Sequence, residues 1–174
     1  MLLLIALSLS MDAFSLAILY GINNFSGKKE FVLSLIVGIF HYIMPIVGNF
    51  FGIKIIKFIP ININLLITFI FAFIGISMII DTFKDNVETN QINGIIGMSL
   101  FSFSVSMDSF ILGIGLKYLF KHIFFSSMVF CVVSFIMTLI GLKFGKIIGT
   151  KIGKTANIVG GIILILFGII YLFK

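Results

Sequence analysis

The chain lacks most of the residues with which a soluble protein builds a charged surface or a cross-linked fold. Its 174 residues contain no arginine and no tryptophan, one cysteine and two prolines, and only 10% of them are charged. Because Cys131 is the only cysteine, neither an intramolecular disulfide nor a zinc site built from several thiolates is possible. Hydrophobic residues make up 60% of the chain, a larger share than in ordinary soluble domains. The composition therefore predicts a membrane protein with several spanning segments.

Long apolar segments account for most of the chain. A helix needs about 20 apolar residues to cross a bilayer, and six segments approach or exceed that length. They are Leu2–Tyr20, Phe31–Ile53, Ile63–Ile80, Gly94–Leu116, Ile123–Leu142 and Ala156–Phe173. The connections between them are short and polar, which leaves no room for a separate soluble domain. We therefore expect an all-α membrane protein of six transmembrane helices, with residues 1–174 as a single transmembrane domain.

Two nearly identical pentapeptides lie 96 residues apart in the first and fourth of these segments. They read SMDAF at residues 10–14 and SMDSF at residues 106–110. Further positions match at the same offset. The matched residues are Ser8, Leu16 and Ile18 in the first segment and Ser104, Leu112 and Ile114 in the fourth. Two motifs of this length with matching flanks indicate an internal duplication.

The second segment of each half shows a similar match at an offset of 93 residues. Gly48 and Gly52 correspond there to Gly141 and Gly145. We therefore predict two repeats of three helices each, over about residues 1–84 and about residues 94–174. Because three is an odd number, the second repeat would enter the membrane from the opposite face. This is the inverted topology found in many transporters.

Each pentapeptide places one carboxylate near the middle of an apolar segment. Asp12 lies about 18 Å along its predicted helix, and Asp108 lies at a similar depth from the other face, so both fall near the bilayer midplane. An aspartate at that depth costs roughly 2.5–3.5 kcal/mol. A hydrogen bond to a neighbouring helix could explain one such residue. Two at equivalent positions favour a site for an ion or a proton.

The side chains expected beside the two carboxylates carry oxygen. A residue four positions earlier shares a helix face, so Ser8 should lie above Asp12, and Ser104 above Asp108. Carboxylates and hydroxyls suit a divalent cation such as Mn²⁺, Mg²⁺ or Ca²⁺, whereas zinc and copper sites usually contain Cys and His. We therefore predict a metal site from these four residues.

One histidine, His41, lies mid-way along the second predicted span. Two roles are open for it. It can be hydrogen-bonded inside the bundle, or it can carry protons or bind the metal, since an unperturbed histidine titrates near pH 6.5. Together with Asp12 and Asp108, it is a candidate for proton coupling.

Two other classes of membrane protein could also use intramembrane charge. An intramembrane aspartyl protease needs two aspartates that share a proton, but it would be expected to show Gly-x-Gly-Asp and Tyr-Asp motifs, and here both acids follow Ser-Met. An amino-acid exporter would need a cation near the midplane to bind a carboxylate. The predicted spans place no lysine there. Duplicated identical ligands fit a cation better than either alternative.

Several stretches together resemble the bacterial manganese efflux pump family, MntP. Besides the paired Ser-Met-Asp motifs, they are Gly38–Gly48, Met78–Asp81, Gly149–Ala156 and Gly160–Gly161. The resemblance covers essentially the whole chain in order. It implies a six-span inner-membrane exporter of Mn²⁺ that requires its intramembrane aspartates, here Asp12 and Asp108, with Mn²⁺ as substrate and no cofactor.

Three positions differ from the residues common in that family. Ser77 stands where a basic residue is frequent, Asn157 where an acidic residue is frequent, and His41 where Gln or Glu is frequent. These differences concern the preference for a metal more than the transport role. Another divalent cation therefore remains an alternative substrate.

The lysines give the expected orientation. Seven lie in the first, third and fifth connections and five on the other side, which favours both termini outside. The seven are Lys28, Lys29, Lys84, Lys143, Lys146, Lys151 and Lys154, and the five are Lys54, Lys57, Lys117, Lys121 and Lys174. The net charge of +6 comes from these membrane-flanking residues, so we expect no nucleic-acid partner.

Energetics limit the mechanism of export. Moving a divalent cation out against an inside-negative potential costs about 4.6 kcal/mol per 100 mV, since each charge costs about 2.3 kcal/mol. The sequence contains no Gly-rich phosphate loop of the kind that ATPases use. We therefore expect a secondary transporter and not an enzyme. Protons would be the exchanged ion.

Overall fold

The computed structural model describes residues 1–21, 26–58, 62–83, 94–148 and 151–173, and this part of the chain is helical throughout apart from short ends and turns. Its helices are α1 (Leu2–Gly21), α2 (Gly27–Phe58), α3 (Ile63–Phe83), α4 (Gly94–Val105), α5 (Met107–Leu119), α6 (Ile123–Ile148) and α7 (Lys151–Leu172). The predicted all-α class is confirmed. A chain with this composition has no water around its backbone in the bilayer, so its amides must bond within each segment.

Four of these helices are long and apolar enough to cross a membrane: α1, α2, α3 and α6. The pair α4 and α5 would make a fifth span, and the apolar part of α7, Asn157–Leu172, is shorter. The protein is therefore a multi-pass membrane protein. Several helices also extend beyond the apolar segments, since α2 begins at Gly27 and takes Lys28 and Lys29 into its first turn.

The fourth predicted span is not one continuous helix. It is divided at Ser106 into α4 and α5, whose axes differ by 46°. The hydroxyl of Ser102 donates to the carbonyl of Met98 at 2.7 Å, and that of Ser106 donates to the carbonyl of Ser102 at 2.6 Å. Serines that bond to the carbonyl four residues earlier often bend a helix. The predicted segment Gly94–Leu116 is therefore bent in its middle.

The bundle carries apolar side chains outside and several polar ones inside. Phe69, Phe83 and Ile96 are each about 70% exposed, whereas Ser10 and Ser106 are 0% exposed. A surface this rich in large apolar side chains, with polar groups among the buried residues, is unusual for a soluble protein. It is expected where lipid surrounds the helices and hydroxyls bond between them.

Corresponding helices of the two halves make corresponding contacts with the opposite half. Helix α1 of the first half packs on α6 of the second half, and α5 of the second half packs on α2 of the first half. A Cβ at Gly48 in α2 would overlap the carbonyl of Phe110 in α5, and one at Gly141 in α6 would lie 2.7 Å from the carbonyl of Phe14 in α1. The glycines are 93 residues apart and the phenylalanines 96. Each aspartate-bearing helix therefore packs against the second helix of the other half.

Candidate metal and proton site

Asp12 lies mid-way along α1 and is partly buried. Beside it stands Asn157 of α7, which is 4% exposed. The Asn157 Nδ2 atom is 3.5 Å from Asp12 Oδ1 and 3.4 Å from the carbonyl of Met78 in α3. Residues of α1, α3 and α7 thus meet at the Asn157 amide. The Asn157 Oδ1 atom is buried and has no hydrogen-bond partner among the described residues.

The close approach of α7 to α1 depends on Gly160, one turn after Asn157. A Cβ at that position would lie 2.8 Å from the carbonyl of Ser8 and 3.0 Å from the Cβ of Met11. Such distances are too short for any larger residue, so the glycine lets the two helices touch. Because residues three apart share a helix face, the same face of α7 carries Asn157 towards Asp12.

Asp108 has a different local structure. It lies in the first turn of α5, directly after the break at Ser106, and is partly buried. The first amides of a helix have no partner within the helix and carry partial positive charge, which stabilises a carboxylate. Half-helix starts of this kind occur at the binding sites of many transporters. The two aspartates that match in sequence therefore differ in environment.

His41 is 1% exposed and is hydrogen-bonded inside the bundle. Its Nδ1 atom lies 3.0 Å from the carbonyl of Val37 and 3.0 Å from the hydroxyl of Ser106. The carbonyl can only accept, and the Ser106 hydroxyl already donates to Ser102 at 2.6 Å. The proton of a neutral His41 therefore belongs on Nδ1, and its Nε2 atom carries the lone pair.

The two serines predicted as ligands lie in different places. Ser8 is 1% exposed, and its hydroxyl donates to the carbonyl of Leu4 at 2.8 Å. Ser104 is exposed on α4. The chain bends at Ser106, so Ser104 and Asp108 do not lie on one continuous helix as we expected. Ser8 keeps its place one turn before Asp12 on α1.

One buried apolar cluster includes residues from both aspartate-bearing helices. Leu9 of α1 lies three residues before Asp12, and Leu112 of α5 lies four residues after Asp108. The residues that the structure describes contain no group of three or more His, Cys, Asp or Glu side chains able to hold a metal. A cation between these helices would therefore need hydroxyl, amide or carbonyl oxygens in addition to carboxylate.

Sequence reasoning assigned no role to two polar features. Asn157 lies beside Asp12, and its sequence signals are an amide near the start of an apolar segment and its place where the family frequently has an acidic residue. The hydroxyl of Ser10 lies 2.9 Å from that of Ser134 in α6. Ser10 belongs to the repeated pentapeptide, whereas nothing in the local sequence marks Ser134.

Comparison with known proteins gives consistent results. A model of the MntP family, described as "Putative manganese efflux pump", matches residues 24–172. Proteins named "Putative manganese efflux pump MntP" are similar to this chain in several bacteria. The one from Geobacillus thermodenitrificans is 32% identical over 98% of this chain and 93% of its own length. Those from Bacillus pumilus and Shouchella clausii are 32% and 31% identical over 98% and 95% of this chain, and each is covered over 92% of its length. No solved structure matches the chain.

Proposed function

This chain belongs to the MntP family of manganese efflux pumps, and we propose that it exports Mn²⁺ across the bacterial inner membrane in exchange for protons. The observation that carries this proposal is the pair of carboxylates, Asp12 and Asp108, at equivalent positions of two repeated motifs within long apolar segments. Relatives that are about one third identical to the chain over nearly their whole length are named as manganese efflux pumps. Another divalent cation is the alternative substrate.

We further propose that the helices form six spans in two inverted repeats. In this arrangement α4 and α5 are one bent span, and α7 is the sixth. The exchange of helix contacts between the halves supports it, since α1 packs on α7 as α5 packs on α3. The excess of lysines in the odd connections supports termini outside the cell.

The metal site that we propose lies between α1 and α5. Asp12 and Asp108 supply the charge that offsets the loss of the cation's hydration, and Ser8 can offer the lone pairs that its bond to Leu4 leaves unused. Asn157 is an added candidate, because its Oδ1 atom is buried without a partner among the described residues. An unpaired buried oxygen costs about 1–3 kcal/mol, and coordination of a cation would remove that cost. Ser104 is not retained, because it is exposed.

Protons would drive the cycle through the same carboxylates. Ionised Asp12 and Asp108 bind the metal, and protonation from the outside releases it. The two repeats then rock to expose the site on the other face. His41 stays a candidate for this proton traffic, since its Nε2 atom carries the lone pair in the neutral ring.

The decisive test is transport in proteoliposomes that contain the purified protein. We expect an imposed proton gradient to drive Mn²⁺ uptake, with protons moving in the opposite direction. Mg²⁺, Ca²⁺, Fe²⁺ and Zn²⁺ measured in parallel define the selectivity. Vesicles with the Asp12→Asn/Asp108→Asn double variant are the matched control, because the amides keep the size of the side chains and remove their charge.

Two results would contradict the proposal in different ways. A manganese flux that does not depend on the proton gradient would reject proton antiport but not manganese transport itself. Flux of another divalent cation without any flux of Mn²⁺ would replace the substrate.

A further inference from the structure

Two hydrogen bonds join the aspartate-bearing helices to the second helix of the other half. In one, the Ser106 hydroxyl lies 3.0 Å from His41 Nδ1. In the other, the Ser10 hydroxyl lies 2.9 Å from the Ser134 hydroxyl. All four residues are at most 1% exposed. Ser10 precedes Asp12 by two residues, and Ser106 precedes Asp108 by two residues.

These two bonds occupy equivalent places in the repeats. Ser106 follows Ser10 by 96 residues, and Ser134 follows His41 by 93, which are the offsets of the repeated motifs. Each serine also donates to the carbonyl four residues earlier, at 2.7 Å from Ser10 to Ala6 and at 2.6 Å from Ser106 to Ser102. Since the donor hydrogen of the serine is used there, its oxygen accepts the bond that crosses to the other half.

The two bonds differ in the partner and in the shape of the helix. Opposite Ser10 stands a second hydroxyl, and α1 runs without a break from Leu2 to Gly21. Opposite Ser106 stands an imidazole whose Nδ1 atom is also held by the Val37 carbonyl, and the chain bends by 46° at that serine.

On the basis of the proposed transport function, we propose that His41 is a positioning residue for Asp108. Its Nδ1–H group bonds to Ser106 and holds the break between α4 and α5, which places Asp108 in the first turn of a new helix. Ser134 positions Asp12 in the corresponding way, through its bond to Ser10 on the unbroken helix α1. The difference between His41 and Ser134 makes the two carboxylates unequal.

This role depends on the Nδ1 atom, whereas a proton carrier or metal ligand would use Nε2. Two amide variants distinguish the role of Nδ1 from that of Nε2. The terminal nitrogen of asparagine lies near the position of Nδ1, and that of glutamine lies near the position of Nε2. The measured quantities are KM and the maximal rate of Mn²⁺ transport in proteoliposomes. His41→Leu removes both nitrogens, so its KM is the reference value for complete loss of the histidine's hydrogen bonds.

We expect His41→Leu to raise KM about tenfold, the factor that corresponds to roughly 1.4 kcal/mol for one buried hydrogen bond. His41→Asn should stay within about threefold of the wild-type KM, and His41→Gln should resemble the leucine variant. Restoration of KM by glutamine, with or without asparagine, would overturn the proposal. So would a wild-type KM in the leucine variant.

A double-mutant cycle tests the partner of His41 directly. If the bond to Ser106 carries the effect, Ser106→Ala combined with His41→Leu should raise KM no more than either change alone. Ser10→Ala combined with His41→Leu is the matched control and should be additive in free energy. Additive effects of His41→Leu and Ser106→Ala would overturn the proposal, even if the leucine variant alone has a raised KM.

The wild-type protein separates this proposal from the proposed function. Absence of Mn²⁺ transport by folded wild-type protein rejects the function and with it the role of His41. Normal wild-type transport with additive variants rejects only the role of His41. Circular dichroism of each variant in detergent ensures that KM is measured on folded protein, and the Asn and Gln comparison remains available if the leucine variant does not fold.

Discussion

At the scale of single residues, the two aspartates are stabilised by different means. Asp12 has an amide donor beside it, since Asn157 Nδ2 lies 3.5 Å from its carboxylate. Asp108 lies in the first turn of α5, where backbone amides favour a negative charge. Both arrangements lower the cost of a carboxylate that is partly buried in the bundle.

Removing the charge of either aspartate should abolish export. Asp12→Asn and Asp108→Asn keep the side-chain volume, and loss of a charged ligand is worth about 2–3 kcal/mol, or on the order of a hundredfold in affinity. The measurement is manganese tolerance of cells that express each variant at the wild-type level. Ser104→Ala is the control, because this exposed hydroxyl lies beyond the break, and it should retain tolerance. Wild-type tolerance in either asparagine variant would remove the central claim.

Asn157 should matter although its sequence signal is weak. Asn157→Leu removes the amide beside Asp12, and we expect KM for Mn²⁺ to rise about tenfold, as for one lost bond to a charged group. Asn64, 93 residues earlier in α3, gives the matched control Asn64→Leu, which should stay near wild type. Equal losses in the two variants would indicate a general effect of asparagine removal.

At the scale of helices, the approach of backbones determines which elements meet. Gly48 of α2 faces the carbonyl of Phe110, and Gly141 of α6 faces that of Phe14. Since lipid gives no hydrophobic drive between helices, close packing of small residues supplies much of the association energy. These contacts connect the second helix of each half to the helix that carries the aspartate of the other half.

Methyl groups at those glycines should separate the helices. Gly48→Ala and Gly141→Ala should each lower the free energy of unfolding by about 1–3 kcal/mol, the usual cost of overpacking. Thermal unfolding in detergent is the measurement. Gly27→Ala is the control, since a Cβ there meets nothing within 4 Å, and it should leave the unfolding temperature unchanged. Equal stability of all three variants would show that the contacts are looser than the structure gives.

At the scale of the whole molecule, the exchanged contacts relate one half of the chain to the other. Hydroxyl bonds, glycine contacts and helix pairs all recur at the offsets of the repeats. An arrangement of this kind can rock between two related states with little change inside each half. It therefore suits alternating access.

The orientation of the two halves can be tested with cysteine reporters. In a Cys131→Ser background, cysteines at Asn24 and Asn90 should react with an impermeant maleimide from one side of the membrane. Those at Lys57 and Lys121 should react from the other side. Whole cells and inverted vesicles provide the two measurements. Labelling of the first pair from opposite faces would contradict six spans and inverted repeats.

Composition and pattern alone determined the class of this protein and singled out the two aspartates of its repeated motif, Asp12 and Asp108. With 60% hydrophobic residues the chain must be membrane-embedded, and a duplicated motif identifies itself without any structure. The family resemblance was also readable, because motifs matched in order along the whole chain. These features are local or compositional, so no fold is needed to recognise them.

The tertiary structure decided which side chains meet. The break at Ser106, the exposure of Ser104 and the place of Asn157 beside Asp12 all depend on how helices pack. A sequence pattern gives the faces of a straight helix, but a bend changes those faces, and contacts between helices join residues about 65 to 145 positions apart. Three-dimensional packing is the physical reason that His41 bonds to Ser106, and no spacing along the chain could predict it.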